Sequence, residues 1–187
     1  GSEMCIRDRN TGMQVKGDSS LNKLIILFVF DKMEVPLSEN TILDMCCSSN
    51  NWIAYMDCQP IIAQLIEHGF IYDISTSSGE PMYTITPDGR VCLANFFVKI
   101  PASTREEIAL FIKNNRNKYR RKQECVADYY MNKDGTYTVY LKIIEPIQPL
   151  LELKFVVPNR QAAKDIYKKW EEKAANVYSL IYDNLVD

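Results

Sequence analysis

Residues 55–71 read YMDCQPIIAQLIEHGFI, and residues 81–90 read PMYTITPDGR. In the first segment, apolar side chains recur at the i, i+3, i+4, i+7 spacing of one helix face. They are Cys58, Ile61, Ile62 and Leu65. Gly69 predicts the end of this helix, because glycine adopts the left-handed cap conformation without strain.

Two short strands and another helix are predicted after that glycine. Phe70 begins an extended segment that runs to Ile74, residues 77–80 form a hairpin turn, and residues 82–85 return as the second strand. Thr86 then caps a helix that has Pro87 at its first position. This order of helix, glycine, strand, turn, strand and helix predicts the second half of a winged helix.

The residues before this stretch predict two more helices. Residues 21–33 are apolar on almost every side, so their helix is expected to pack against several elements or a second subunit. Ser38 can cap the next helix, whose buried side includes Ile42 and Met45. Residues 52–55 are predicted as a short extended piece. Residues 20–100 are therefore assigned to a winged-helix domain.

The residues after position 100 predict a second, α/β domain, so the fold class is α+β. A helix with Ser103 or Thr104 as its cap runs to about residue 123. Strands follow at 126–131, 137–144 and 150–157, with an Asp-Gly turn between the first two. A final helix over residues 160–185 is about 39 Å long. That exceeds the span of strands of about eight residues, so the excess predicts a contact with a partner.

Composition excludes several classes of protein. The net charge of −2 gives no attraction of the whole molecule to nucleic acid or membranes. No signal peptide or membrane anchor is recognised, which predicts a cytoplasmic protein. Residues 1–19 lack periodicity and are interpreted as a disordered, non-native leader. The six cysteines form no Cys-x-x-Cys pair; reduced, mostly buried thiols are expected, and a redox switch is the alternative.

The wing motif carries a resemblance to a known family. Leu65, Gly69, Phe70 and Ile71, followed by the Tyr-x-Ile-Thr-x-x-Gly string of residues 83–89, resemble bacterial winged-helix regulators of the PadR and MarR kind. The whole chain is most similar to an uncharacterised bacterial family that joins such a domain to a C-terminal α/β domain. The resemblance implies a homodimeric, DNA-binding transcriptional regulator. Its C-terminal domain would dimerise or sense a small-molecule effector.

The resemblance also implies which residues would touch double-stranded DNA. The third helix would enter the major groove, and the wing would touch the neighbouring backbone. A run of six cations over residues 113–122 could supply phosphate contacts, or it could be only a solvated helix face. The predicted DNA-binding residues are Asp57, Gln59, Pro60, Gln64, Ser77, Lys113, Arg116 and Arg120.

The sequence gives catalysis little support. His68 is the only histidine, and no nucleophile motif, phosphate-binding loop or metal-ligand pattern is recognised. No enzyme activity, metal or cofactor is therefore predicted. The third helix carries no lysine or arginine, although phosphate contacts supply much of the affinity of DNA-binding proteins. This leaves a second function open, a protein-interaction or scaffold module that uses a winged helix without DNA.

Overall fold

The computed structural model describes residues 19–75, 80–145 and 149–186. The fold is α+β, as predicted, with two antiparallel three-stranded sheets. The chain divides into two compact units between Arg116 and Asn117, inside a long helix. No helix in the described ranges is long and apolar enough to cross a membrane.

In its described residues, the N-terminal unit contains four complete helices and one sheet. Its elements are α1 (Ser19–Met33), β1 (Leu37–Ser38), α2 (Glu39–Leu43) with a π-helical continuation (Asp44–Ser49), α3 (Tyr55–Glu67), β2 (Ile71–Asp73), β3 (Met82–Ile85) and α4 (Pro87–Phe96) with a 3-10 turn (Phe97–Lys99). The helix α5 (Ala102–Glu124) begins in this unit and ends in the next.

The sheet of the N-terminal unit has the strand order β1-β3-β2, and both pairings are antiparallel. Leu37 pairs with Tyr83, and Ile71 pairs with Ile85. The strand β1 was not predicted, because two residues are too few to show a period of two. It adds a third strand to the predicted hairpin and connects α1 to α2.

The helix α1 is buried around most of its circumference, as its apolar sequence predicted. Every residue from Asn22 to Phe30 is buried, and the helix packs with α3, α4 and β3 of the same chain. Its apolar surface is therefore covered without a second subunit.

The predicted helix end at Gly69 and the predicted cap at Thr86 are confirmed. Gly69 has a φ of +71°, the left-handed conformation that glycine tolerates. The Thr86 hydroxyl accepts a hydrogen bond from the Gly89 amide at 3.0 Å and donates one to the Gly69 carbonyl at 2.7 Å. A methyl group on Gly89 would lie 2.3 Å from the Phe70 carbonyl oxygen, so this position has no room for a side chain.

Two local predictions are wrong. Residues 52–55 are not extended, because the Ile53 amide donates to the Cys46 carbonyl at 3.1 Å, and α3 already begins at Tyr55. The helix α5 does not begin after Ser103 or Thr104. The Arg105 amide donates to the Pro101 carbonyl at 3.0 Å, which places both predicted caps inside the first turn.

The C-terminal unit matches its predicted elements closely. Its strands are β4 (Cys125–Met131), β5 (Tyr137–Ile144) and β6 (Pro149–Val157), in the antiparallel order β4-β5-β6. The final helix α6 (Arg160–Leu185) has the predicted bounds and packs on one face of this sheet. Trp170 lies in that core, and its indole donates to the Lys142 carbonyl at 3.0 Å.

Candidate nucleic-acid interface

The helix α3 separates into a buried side and a solvent side. Cys58, Ile61, Ile62 and Leu65 are buried, as their spacing predicted. Gln59 and Pro60 are exposed on the solvent side, and Asp57 is half-buried. Pro60 has no amide hydrogen, so it cannot donate to the Met56 carbonyl within the helix. The outer surface of α3 therefore combines polar and small side chains with the exposed apolar residues Tyr55, Met56 and Ile66.

The two glutamines that were predicted to read bases have different environments. The exposed Gln59 donates from Nε2 to a carboxylate oxygen of Glu39 at 2.8 Å. This contact lies at the surface, so Gln59 can exchange it for a partner molecule. The side-chain oxygen of Gln64 is instead buried and has no hydrogen-bond partner among the described residues. Gln59 is therefore the more accessible of the two amides.

The electrostatic environment of α3 is acidic. Asp57 and Glu67 lie on the helix itself, which has no lysine or arginine, and Glu39 of α2 contacts Gln59. Asn40 of α2 donates to a carboxylate oxygen of Glu80 at 2.9 Å. Ser77, the predicted contact from the wing, lies outside the described residues. The α3 surface can therefore offer hydrogen bonds and apolar contact, but no positive charge of its own.

The predicted cations of α5 have unequal availability. Lys113 is exposed. Arg116 is half-buried; it donates to the Lys32 carbonyl and approaches a Glu34 carboxylate oxygen at 3.5 Å. This arginine therefore fastens α5 to the end of α1.

Arg120 belongs to the other unit and pairs with a carboxylate one turn later on the same helix. Its Nε lies 2.7 Å from a Glu124 carboxylate oxygen. That contact raises the pKa of the Arg120 guanidinium. Of the three cations, Lys113 is the one that the structure leaves most accessible to a phosphate.

The amino-terminal end of α3 has features that the sequence did not reveal. Trp52, three residues before the helix, donates to a Glu107 carboxylate oxygen at 2.9 Å, and its ring makes a T-shaped contact with the Phe111 ring at 5.5 Å between centroids. Next to this contact, Tyr55 is 59% exposed and Met56 is 83% exposed. A large apolar side chain exposed to this degree can contribute to a contact with another molecule.

Three thiols lie on the buried side of α3 and in the π-helical segment before it. Cys46, Cys47 and Cys58 are buried and free. Burial raises the pKa of each thiol, and the neighbouring thiols raise the pKa of Cys46 and Cys58 further. Protonated thiols are poor nucleophiles and poor metal ligands, and no grouping that could hold a metal is found in the described ranges.

The prediction of reduced thiols holds for these three residues and for the half-buried Cys125. The free thiols that lie next to α3 are therefore shielded, and they contribute packing to the N-terminal unit.

Comparison with known proteins gives one family. Residues 22–185 match the model of DUF4364, a domain of unknown function. The chain belongs to the DUF4364 family. The match spans both units, which agrees with the predicted similarity to an uncharacterised family of two joined domains. No curated protein and no solved structure matches the chain. The resemblance of this DUF4364 chain to PadR and MarR regulators therefore stays a prediction.

Proposed function

We propose that residues 20–100 form a winged helix-turn-helix that binds double-stranded DNA, and that the protein is a homodimeric, cytoplasmic transcriptional regulator. The observation that carries this proposal is the order α1-β1-α2-α3-β2-β3 with the sheet order β1-β3-β2. In a winged helix of this order, the third helix enters the major groove and the turn between the last two strands touches the backbone. Gln59, Pro60 and Ala63 on the outer side of α3 are polar and small side chains that base pairs could approach.

Gln59 is the residue that we assign to base recognition. A glutamine amide both donates and accepts, which matches the adenine edge in the major groove. DNA binding would break the exposed hydrogen bond that the Gln59 amide donates to the Glu39 carboxylate at 2.8 Å. Pro60 next to it is exposed on the same helix.

The charges around α3 determine how this DNA binding should depend on salt. Affinity falls with salt in proportion to the number of phosphates that cations neutralise. Asp57 and Glu67 oppose phosphate approach, and Lys113 is the predicted cation that remains accessible. We therefore expect a shallow salt dependence and moderate affinity, with base contacts carrying most of the specificity.

We assign dimerisation to the C-terminal unit. The apolar surface of α1 is covered within one chain, so this helix has little apolar surface left for a second copy. The helix α6 instead ends in exposed apolar residues, including Leu180 and Leu185. Two copies joined through their C-terminal units would present two α3 helices to a palindromic site.

A second candidate function, a protein-interaction module, is favoured by the exposed Tyr55 and Met56. Aromatic residues and methionine are enriched in protein interfaces, and these two lie beside the acidic surface of α3. A partner with a basic groove would suit this surface better than the DNA backbone does.

Selection of bound duplexes from a random DNA pool, at low and at physiological salt, separates the two functions. The regulator predicts recovery of one palindromic motif at both salt concentrations. On that motif, Gln59→Ala should weaken binding about tenfold with an unchanged salt slope, whereas Lys113→Ala should reduce the slope by about one. Absence of any retained duplex at either salt would refute the DNA-binding proposal and favour a protein partner.

A further inference from the structure

The strand β6 forms one edge of the C-terminal sheet. It pairs with β5 on its inner side, and the sheet order β4-β5-β6 places no further strand of the described residues on its outer side. The strand is nine residues long, and Leu150, Phe155 and Val156 are 43%, 40% and 61% exposed. A long edge strand whose outer side meets no other strand is a template for pairing with another strand.

The sequence of β6 is complementary to itself. Residues 150–156 read LLELKFV, and Leu153 lies at the centre. When two copies pair antiparallel about Leu153, Glu152 of each copy lies opposite Lys154 of the other. The apolar residues on either side match apolar residues in the same way: Leu150 opposite Val156 and Leu151 opposite Phe155. Both charged residues have even numbers, so they lie on the same face of the sheet.

We propose that two copies of this chain associate by antiparallel pairing of β6 with β6 about Leu153, which gives one continuous six-stranded sheet. This deepens the proposed function by placing the interface of the homodimer, and it is measured without DNA. The contact is isologous, since the same residues are used on both copies, so it closes at a dimer.

The charged groups around the interface support this register. Within one chain, Glu152 contacts Lys142 at 3.3 Å and accepts from the Tyr140 hydroxyl at 3.0 Å. Lys154 lies opposite Tyr140 and over the ring of Tyr130 at 6.0 Å. Pairing adds a lysine of the partner beside Glu152 and a glutamate beside Lys154. Charges of alternating sign would therefore run across the joined sheets.

Charge reversal at either position places like charges opposite each other twice in each dimer. Glu152→Lys gives two lysine–lysine pairs, and Lys154→Glu gives two glutamate–glutamate pairs. Since like charges that face each other across strands destabilise the pairing, each variant should dimerise at least about tenfold more weakly than the wild type. In an equimolar mixture, the hybrid dimer has two opposite-charge pairs and should form again.

Sedimentation of the full chain over a range of concentrations tests this, without DNA. We expect the wild type and the mixture to be dimeric and each single variant to be largely monomeric. Lys168→Glu, which makes the same charge change as Lys154→Glu at an exposed position of α6, should leave the dimer intact. Circular dichroism establishes that each variant is folded.

A monomeric wild type at every concentration would overturn the proposal, and so would single variants that dimerise as the wild type does. A mixture of folded variants that stays monomeric would also overturn it. A dimer that retains no DNA would refute the proposed function and leave this interface standing. A monomer that retains DNA would refute this interface and leave the DNA-binding proposal standing.

Discussion

The helices α1 and α6 show how differently the two units bury their apolar residues. In α1, every residue from Asn22 to Phe30 is buried within the chain. In the longer α6, the buried residues are Ala163, Trp170 and Ala174, and Leu185 near its end is 79% exposed. Its unit also has an exposed apolar edge at β6. The helix α1 is thus covered within one chain, whereas the C-terminal unit has exposed apolar residues that suit a second copy.

The largest loss of stability is expected from a substitution in the core between α6 and its sheet. Trp170 is 3% exposed and donates to the Lys142 carbonyl, so Trp170→Ala should cost about 4 kcal/mol of unfolding free energy. In this variant, Trp52 becomes the only tryptophan and its fluorescence reports on the N-terminal unit during denaturant unfolding.

If the two units have separate cores, the C-terminal unit of Trp170→Ala should lose its far-ultraviolet signal at a lower denaturant concentration. The midpoint of the Trp52 fluorescence transition should then stay unchanged. Trp170→Phe, which keeps an aromatic ring, should have a smaller effect. A single transition shifted equally for both signals would show that the units unfold as one.

Within the N-terminal unit, two glycine substitutions should distinguish the stability cost of overpacking from the cost of an unfavourable backbone conformation. Gly89→Ala places a methyl group 2.3 Å from the Phe70 carbonyl oxygen, and such overpacking should cost about 2 kcal/mol. At Gly69 a Cβ meets nothing within 4 Å, but φ is +71°, so Gly69→Ala should cost about 1 kcal/mol. Denaturant unfolding measures both variants, and a larger loss at Gly69 would contradict this assignment.

Alkaline pH should weaken the N-terminal unit through its buried thiols. Burial raises the pKa of Cys46 above its ordinary value of 9.0. The stabilisation from the neutral thiol is complete below the pKa of the unfolded chain and is lost as pH rises from there toward the folded pKa. The loss from one thiol is about 1.4 kcal/mol for each pH unit above the unfolded value. Denaturant unfolding at pH 8 and pH 10 measures this loss of unfolding free energy. Cys46→Ala should reduce the difference between the two pH values. An identical difference in that variant would show that Cys46 is not its source.

The smallest effects are expected at two helix caps, one in each unit. Asn159 accepts from the Ala162 amide at 2.9 Å, and Asn159→Ala should cost about 1 kcal/mol. Thr86→Ala should cost somewhat more, because the Thr86 hydroxyl also donates to the Gly69 carbonyl. Thr86→Ser keeps both contacts and is the matched control in thermal unfolding. Equal losses for Thr86→Ala and Thr86→Ser would show that the hydroxyl contributes little.

Strong local signals made much of the fold predictable. The alternation over residues 137–144 and the apolar stripe over residues 160–185 gave β5 and α6 with their observed bounds. Turn and cap residues such as Gly69 and Thr86 are recognisable from residue type and local spacing, although the Thr86 hydroxyl also bonds the Gly69 carbonyl 17 residues earlier. The strand β1 and the π-helical turn after α2 were missed. The first depends on pairing with residues 82–83, and the second has no distinct periodicity over six residues.

The candidate site was less predictable, because its surroundings are set by distant parts of the chain. Helix periodicity placed Gln59 and Gln64 on the outer side of α3, yet only the tertiary structure shows that the Gln64 oxygen is buried. Arg116 was predicted as a DNA contact, but its partners Lys32 and Glu34 lie more than 80 residues earlier. No local pattern contains such a contact.

Hydrogen exchange of the full chain tests the contrast between the two units most directly. The amides should be followed at low and high protein concentration, and with and without a random duplex pool at low salt. The account predicts that raising the concentration slows exchange in β6 and leaves α1 unchanged, and that DNA slows exchange around α3. Exchange in β6 that is independent of concentration, together with no effect of DNA on α3, would contradict it.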